Sequence, residues 1–298
     1  ARSQTSLVAN TMSSLKLALG CAAGGVLGYV LTKLFDSPEQ GKVKGGTITI
    51  GYWKIRGLAA PLRMMCFYKG QPFVSKAYGD DANKAWFGSE KKRLKDNNAL
   101  INLPYVIEGP TAADPTETVI TQSNSCLLYL GKRLGIDRPE LTTHNHQALD
   151  QLMDLRNDTM KVVYPFANVV TKQADFKAGL KEHVAKTASM HLAKLEGHCV
   201  GPYLCGGEIQ SADFHMFEML DQHVAMCEQA GVAFDVSPFP KLKALHGALR
   251  ADPALALYFA SDMYKRYAFN NPMAAFFCGS GYGDGPFGST VEEQVRTR

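Results

Sequence analysis

The chain has seven cysteines, at positions 21, 66, 126, 199, 205, 227 and 278, and no two of them form a C-x-x-C pair. That absence excludes a thioredoxin-type redox dithiol and a zinc ribbon. An odd, scattered set is also no disulfide framework, so reduced thiols in a compartment without disulfides are expected. Charge of one sign is lacking too: 32 basic residues against 28 acidic leave +4 over 298 residues. A balance so small and spread out gives no support for nucleic-acid binding. Histidine is sparse, and His144-x-His146 has no Cys or carboxylate nearby at ligand spacing, so no metal is expected. The glycine-rich run from Gly279 to Gly285 has no strand before it and no helix after it, which excludes a phosphate loop.

What is present begins with a charge gap. Residues 17–32 carry no charge and are bracketed by Lys16 and Lys33. With snorkelling lysines and Leu34-Phe35, the span approaches the roughly 20 residues that cross a bilayer. Gly20, Gly24 and Gly28 lie four apart, on one helix face. This repeated G-x-x-x-G lets the backbone of a second helix approach in lipid. The pattern predicts a single transmembrane helix over about 15–35, packed on a transmembrane helix of another protein. A signal-peptide-like region or a buried hairpin is the alternative. Residues 36–46, rich in Pro, Gly and charge, read as a linker. The first 14 residues are Ser/Thr-rich with Arg2 and no acid, and the sequence starts at Ala1. A removed presequence and an organellar, preferentially mitochondrial, membrane are the expectation.

Residues 47–135 alternate strand and helix patterns. Thr47–Ile50 has period two and reads as a strand. Pro61 is placed for the first turn of a helix ending at Gly70, and Pro72–Tyr78 is a second strand. Residues 79–101 are polar and read as irregular, with Trp86 and the basic run Lys91-Lys92-Arg93 inside them. Tyr105–Glu108, a long turn, Thr118–Thr121 and a helix over Ser123–Leu134 follow. The order is that of a thioredoxin-like domain. Pro104 opens the third strand, where it cannot donate to the ladder and where a cis bond is expected. Ser123 reads as an N-cap. Its helix start and the nearby Asn102–Tyr105 turn would together hold a peptide-like anion.

From His146 onward no strand patterns remain. Apolar periodicity predicts helices from Leu149 to Val163 and beyond, from Lys177 to Leu195, from Ser211 to Leu220, and after Pro240 and Pro253. Residues 145–278 therefore read as a helical domain, Pro139–Thr143 as the interdomain linker, and 279–298 as a Gly-rich tail, extended over the surface or mobile. Asp213 is expected to be a buried helix-entry carboxylate satisfied by backbone N–H groups.

Gly51-Tyr52-Trp53-x-Ile55-Arg56-Gly57-Leu58, Asn102-Leu103-Pro104-Tyr105, Ile120-Thr121-Gln122-Ser123-Asn124, Ala212-Asp213-Phe214 and Asn271-Pro272-x-Ala274 resemble, in order and approximate spacing, the cytosolic glutathione transferases, most of all their mu class. The resemblance covers about residues 46–278. It implies the glutathione transferase fold, α/β plus all-α, here preceded by the transmembrane helix. It implies glutathione as co-substrate, without a metal. By position Tyr52 would be the catalytic tyrosine, donating a hydrogen bond to the glutathione sulfur and lowering a thiol pKa from about 8.5 toward neutrality. Gln122 and Ser123 would hold the γ-glutamyl carboxylate, and Leu103 with cis Pro104 the cysteinyl backbone. Trp53, Leu58, Trp86, Lys91 and Asn102 match the remaining glutathione contacts. A Trp in a polar loop lacks a core reason, which favours Trp86 as a ligand wall. Lys91 adjoins Lys92 and Arg93, and a solvated basic run is its plain alternative.

The departures point the other way. Lys161 aligns with an aspartate that reaches the partner subunit's glutathione in the mu class, and Leu100 with a larger aromatic dimer key. The turn after the third strand is longer, and Gln210 replaces the usual Ser or Thr at a helix entry. Homodimerisation is therefore expected to be weakened. Two functions are compatible with the sequence. One is a membrane-anchored transferase that turns the glutathione thiol on hydrophobic small-molecule electrophiles. The other is an accessory subunit of a larger membrane complex, respiratory among the candidates, that keeps the fold with reduced or no activity.

Overall fold

A computed structural model describes residues 46–111, 115–165, 170–279 and 288–298. The predicted transmembrane segment 15–35, with Lys16, Gly20, Gly24, Gly28 and Lys33, lies outside the described residues, as does all of the linker but Gly46. No helix among the described residues is long and apolar enough to cross a membrane.

The β-branched run after Gly46 forms strand β1 (Ile48–Trp53). A short 3-10 turn (Gly57–Ala59) leads into helix α1 (Ala60–Lys69), which has Pro in its first turn. Gly70 ends it in the left-handed region, φ 62°, the C-cap conformation glycine adopts without a Cβ clash. Strand β2 (Phe73–Tyr78) pairs parallel with β1, Tyr52 opposite Ala77. Strands β3 (Tyr105–Glu108) and β4 (Thr118–Thr121) add antiparallel on the other side, and helix α3 (Ser123–Arg133) follows. Ile48, Ile50 and Val106 on one face of this sheet share a core with Leu62, Met65, Leu127 and Leu130 of α1 and α3.

Two stretches depart from the sequence reading. Residues 79–101 are not irregular: a π-helical segment (Asn83–Glu90) runs into helix α2 (Lys91–Lys95). Trp86 is 0% exposed, stacked on Tyr105 at 5.7 Å, in a second core beneath the sheet with Tyr78, Leu94 and Ile101. Lys84, Phe87 and Ser89 form the exposed side of that segment; the apolar partners of Trp86 come from positions 78, 94, 101 and 105. The second departure is the tail. Val291–Val295 forms strand β5, antiparallel to β2, giving a sheet of order β4-β3-β1-β2-β5. Asp80 and Asp81 fasten its approach by accepting from the backbone N–H groups of Gly288 (2.8 Å) and Thr290 (2.7 Å).

The helices that follow are α4 (Thr142–Val163), α5 (Gln173–Glu182), a π-helical turn (His183–Ala188), α6 (Ser189–His198), α7 (Ser211–Ala230) and α8 (Pro240–Ala251). Two short ones, α9 (Ala256–Ala260) and α10 (Asp262–Lys265), follow. His144 and His146 sit in the first turns of α4, and the His144 ring stacks on His198 at 3.6 Å. The long α7 is the hub, packed on α1, α4 and α8. Most of it is buried because neighbours cover it on several sides. Asp213 accepts from the backbone N–H groups of Gln210 (2.7 Å) and Leu204 (2.8 Å), as expected. The six described cysteines are unpaired.

Candidate functional site

The end of β1 sets the site. Tyr52, 4% exposed, lies beside a cavity of about 330 Å³. Trp53, Gly57 and Leu58 form the near wall; Arg156, Asn157, Met160 and Tyr164 come from α4 and its end; His215, Glu218, Met219 and Gln222 come from α7. The α7 residues are spaced i, i+3, i+4, i+7, which puts them on one helix face. Phe269, Asn270 and Asn271 close the remaining side. Their segment is stitched to the turn after β1: the backbone N–H of Arg56 donates to Ala268 (2.7 Å), and that of Gly57 to Phe269 (3.1 Å).

Arg56 anchors this wall. Its guanidinium is buried, donates to both oxygens of Glu218 (3.0 and 2.6 Å) and to Asp221 (2.6 Å), and stacks 4.0 Å over Phe269. Burial, the largest single influence, would lower its pKa, but Glu218, Tyr258 and Asp221 together outweigh it and the guanidinium stays charged. Burial would raise Asp221; the nearby His246 at 3.4 Å, the charge and hydrogen bond of Arg56 and the Tyr264 hydroxyl overcome it and hold the carboxyl at about 2.

A second cluster lies along β3, β4 and α3. The Leu103–Pro104 bond is cis. The ladder with β1 ends at Gly51–Tyr105, so Leu103 lies just past it. Thr121 ties the Asn102 turn to the β4 end: its hydroxyl accepts from the Asn102 N–H (3.0 Å) and donates to the Asn102 carbonyl (2.9 Å). Gln122 has φ 71°, the one non-glycine residue at positive φ among those described. Such a conformation costs about 1–3 kcal/mol and persists only where surroundings enforce it. Gln122, not Ser123, is the N-cap of α3; Ser123 is the first helical residue, because the sharp turn falls one position earlier. The N–H groups of this first turn remain a place for an anion.

The structure thus brings Tyr52, Trp53 and Leu58 to the cavity, and Asn102, Leu103, Pro104, Gln122 and Ser123 to one neighbouring turn pair. The Trp86 ring lies in the second core and does not line the cavity, and its Nε1 has no hydrogen-bond partner among the described residues. Lys91, half-buried, places its ammonium 5.9 Å from the buried Trp86 ring and 5.7 Å from the exposed Phe87 ring, contacts that account for its position. Lys161 is exposed and paired with Asp158 (2.6 Å), and Leu100 is 69% exposed. Sequence reasoning missed the α4 and α7 residues of the cavity. The available signal was His215, Glu218 and Gln222, polar side chains inside an otherwise apolar helix. No group of three or more His, Cys, Asp or Glu side chains among the described residues could hold a metal ion.

A thioredoxin-like α/β part followed by helices, with a tyrosine at the end of β1 facing a cavity under the central helix, is the glutathione transferase fold. Comparison with known proteins agrees. Residues 153–262 match the family model for the glutathione S-transferase C-terminal domain. The chain is 30% identical over 226 residues to glutathione S-transferase Mu 1 of Oryctolagus cuniculus, covering 74% of this chain and 93% of that protein. It is 28% identical over 230 residues to a class-mu 26 kDa isozyme of Fasciola hepatica, covering 76% and 94%. Among solved structures, the pi-class glutathione S-transferase of Onchocerca volvulus superposes with TM-score 0.58 at 20% identity, covering 76% of this chain and 99% of that one. The chain belongs to the glutathione S-transferase family.

Proposed function

We propose that the protein binds glutathione along the Asn102–Pro104 and Gln122–Ser123 turns and activates its thiol through Tyr52. The observation that carries this reading is the placement of Tyr52 at the cavity, one strand away from the Asn102–Pro104 turn and two from the Gln122–Ser123 turn. The Tyr52 hydroxyl would donate to the sulfur and favour the thiolate, the attacking species. The first turn of α3 would receive the γ-glutamyl carboxylate, and the backbone of Leu103 the cysteinyl unit. The cavity would hold a small-molecule electrophile at reach of the sulfur. Conjugation of glutathione to a generic aromatic electrophile by the full chain in detergent tests this. No turnover above the uncatalysed rate, with glutathione binding absent, would reject it.

The N-terminal proposal rests on sequence alone. The uncharged run 17–32 would anchor the enzyme in an organellar membrane, with the Gly20, Gly24 and Gly28 face against another protein's helix. Release of the intact protein by alkaline carbonate would refute the anchor.

A further inference from the structure

We propose that the electrophile this cavity selects carries a carboxylate, held by Arg156; the inference rests on the transferase reading above. Arg156 lines the cavity from α4. Among the described residues its one hydrogen bond goes to Asn157, at 3.5 Å. Among the described residues it has no carboxylate partner, whereas Arg56, Arg93, Arg133, Arg138 and Arg266 each have one. A guanidinium at a cavity wall is a planar donor fork that matches a carboxylate with two parallel bonds.

An independent observation lies opposite, on α7. Two further cavity residues keep buried polar atoms without hydrogen-bond partners among the described residues: His215 at Nδ1 and Gln222 at Nε2. Buried polar groups in folded proteins are almost always partnered, so two on one wall point to a ligand that bonds them. Burial first, and then the charge of Arg156, push the His215 imidazole down to about 3, so it stays neutral and offers one donor and one acceptor. Glu218, the acid on the same wall, does not compete for Arg156, since Arg56 occupies both its oxygens. An apolar electrophile would fill the volume and leave His215 Nδ1 and Gln222 Nε2 unpartnered and Arg156 without a carboxylate, and a site with unpaired polar groups discriminates against the ligand that fails to bond them.

The test compares chlorodinitrobenzene with its ring carboxylate, chlorodinitrobenzoate, at saturating glutathione, each corrected for its uncatalysed reaction. In both, the C–S bond forms as chloride leaves with the bonding pair. The full chain should favour the carboxylate in kcat/KM by about tenfold or more, the scale of one charge-assisted contact. Arg156→Met should abolish that preference, mainly through KM, while Arg156→Lys keeps part of it. Equal use of both compounds, or an unchanged preference in Arg156→Met, overturns the proposal. If neither compound is turned over, the transferase reading fails, and direct titration of the two compounds, followed by tryptophan quenching, still decides this one. Tighter binding of chlorodinitrobenzoate that Arg156→Met removes supports it, and equal binding rejects it.

Discussion

Gly57 stands directly against Tyr52: a Cβ at position 57 would lie 2.7 Å from Cε1 of the tyrosine ring and 3.0 Å from its hydroxyl oxygen. The backbone there has φ 40°, a conformation that side chains other than glycine resist. Gly57→Ala should therefore push the Tyr52 ring aside. A displacement of about 1 Å at a reacting group costs roughly a hundredfold in rate. Steady-state kinetics should show a fall in kcat/KM of that order with the protein still folded. Activity within about twofold of the parent would mean that the ring does not need this seat.

Tyr52→Phe removes only the hydroxyl. A hydrogen bond to a charged partner contributes roughly 1.5–3 kcal/mol, so turnover should fall by about one to two decades. The absorbance of enzyme-bound glutathione thiolate should fall with it. If the thiolate signal persists in the Phe variant, another group activates the sulfur.

The Arg56 cluster predicts a stability effect. Arg56→Met leaves Glu218 buried without its cation and Asp221 with only His246 and Tyr264. Breaking a buried pair from one side costs about 3–5 kcal/mol. Urea unfolding should shift accordingly, and the double variant Arg56→Met/Glu218→Leu should recover part of the loss. A single variant as stable as the parent would show that the pair contributes nothing.

Acid should destabilise the helical part through its histidines. His183 and His223 face each other in the interior, Nε2 to Nε2 at 3.2 Å. Burial, then each other's proximity for His183, push them down to about 3 and about 4. Their pKa is lower folded than unfolded, so the unfolded chain binds more protons below pH 6.5. Stability present above that pH is lost as pH falls from 6.5 toward the folded values. Each group withdraws up to about 1.4 kcal/mol per pH unit in that window. Urea midpoints measured from pH 7.5 to about 4.5 should decline, and His183→Asn should flatten the decline. A midpoint that holds constant would contradict neutral burial.

Deleting residues 288–298 should strip β5 from the sheet. The edge of β2 would lose its ladder, and Lys76 its contact with Glu292 at 3.3 Å. Exposed strand edges pair with other chains. Light scattering should show concentration-dependent association of the truncated protein, with a lower Tm; a monodisperse variant of parent stability would refute the structural role of β5.

The sequence alone determined the order of β1 to β4 with helices α1 and α3, the cis Pro104 turn and the buried helix-entry role of Asp213. These are legible because they rest on local rules: period-two and period-3.6 patterns, a proline that cannot donate, a carboxylate next to free N–H groups. The family motifs around Tyr52 and Gln122 were legible for the same reason, being short and contiguous. Only the tertiary structure decided the rest. Trp86 sits in a largely polar stretch of sequence yet is walled by Tyr78, Leu94, Ile101 and Tyr105, whose spread over positions 78–105 exceeds a single helical or strand window. Val291–Val295 is a strand because β2 offers it an unpaired edge, and a Gly-rich approach gives no sign of that. Arg156, His215 and Gln222 meet across two helices far apart in the chain, so their shared cavity exists only once α4 and α7 have packed. Hydrophobic pattern fixes which face of a helix is buried; which polar groups then confront one another depends on the geometry of packing.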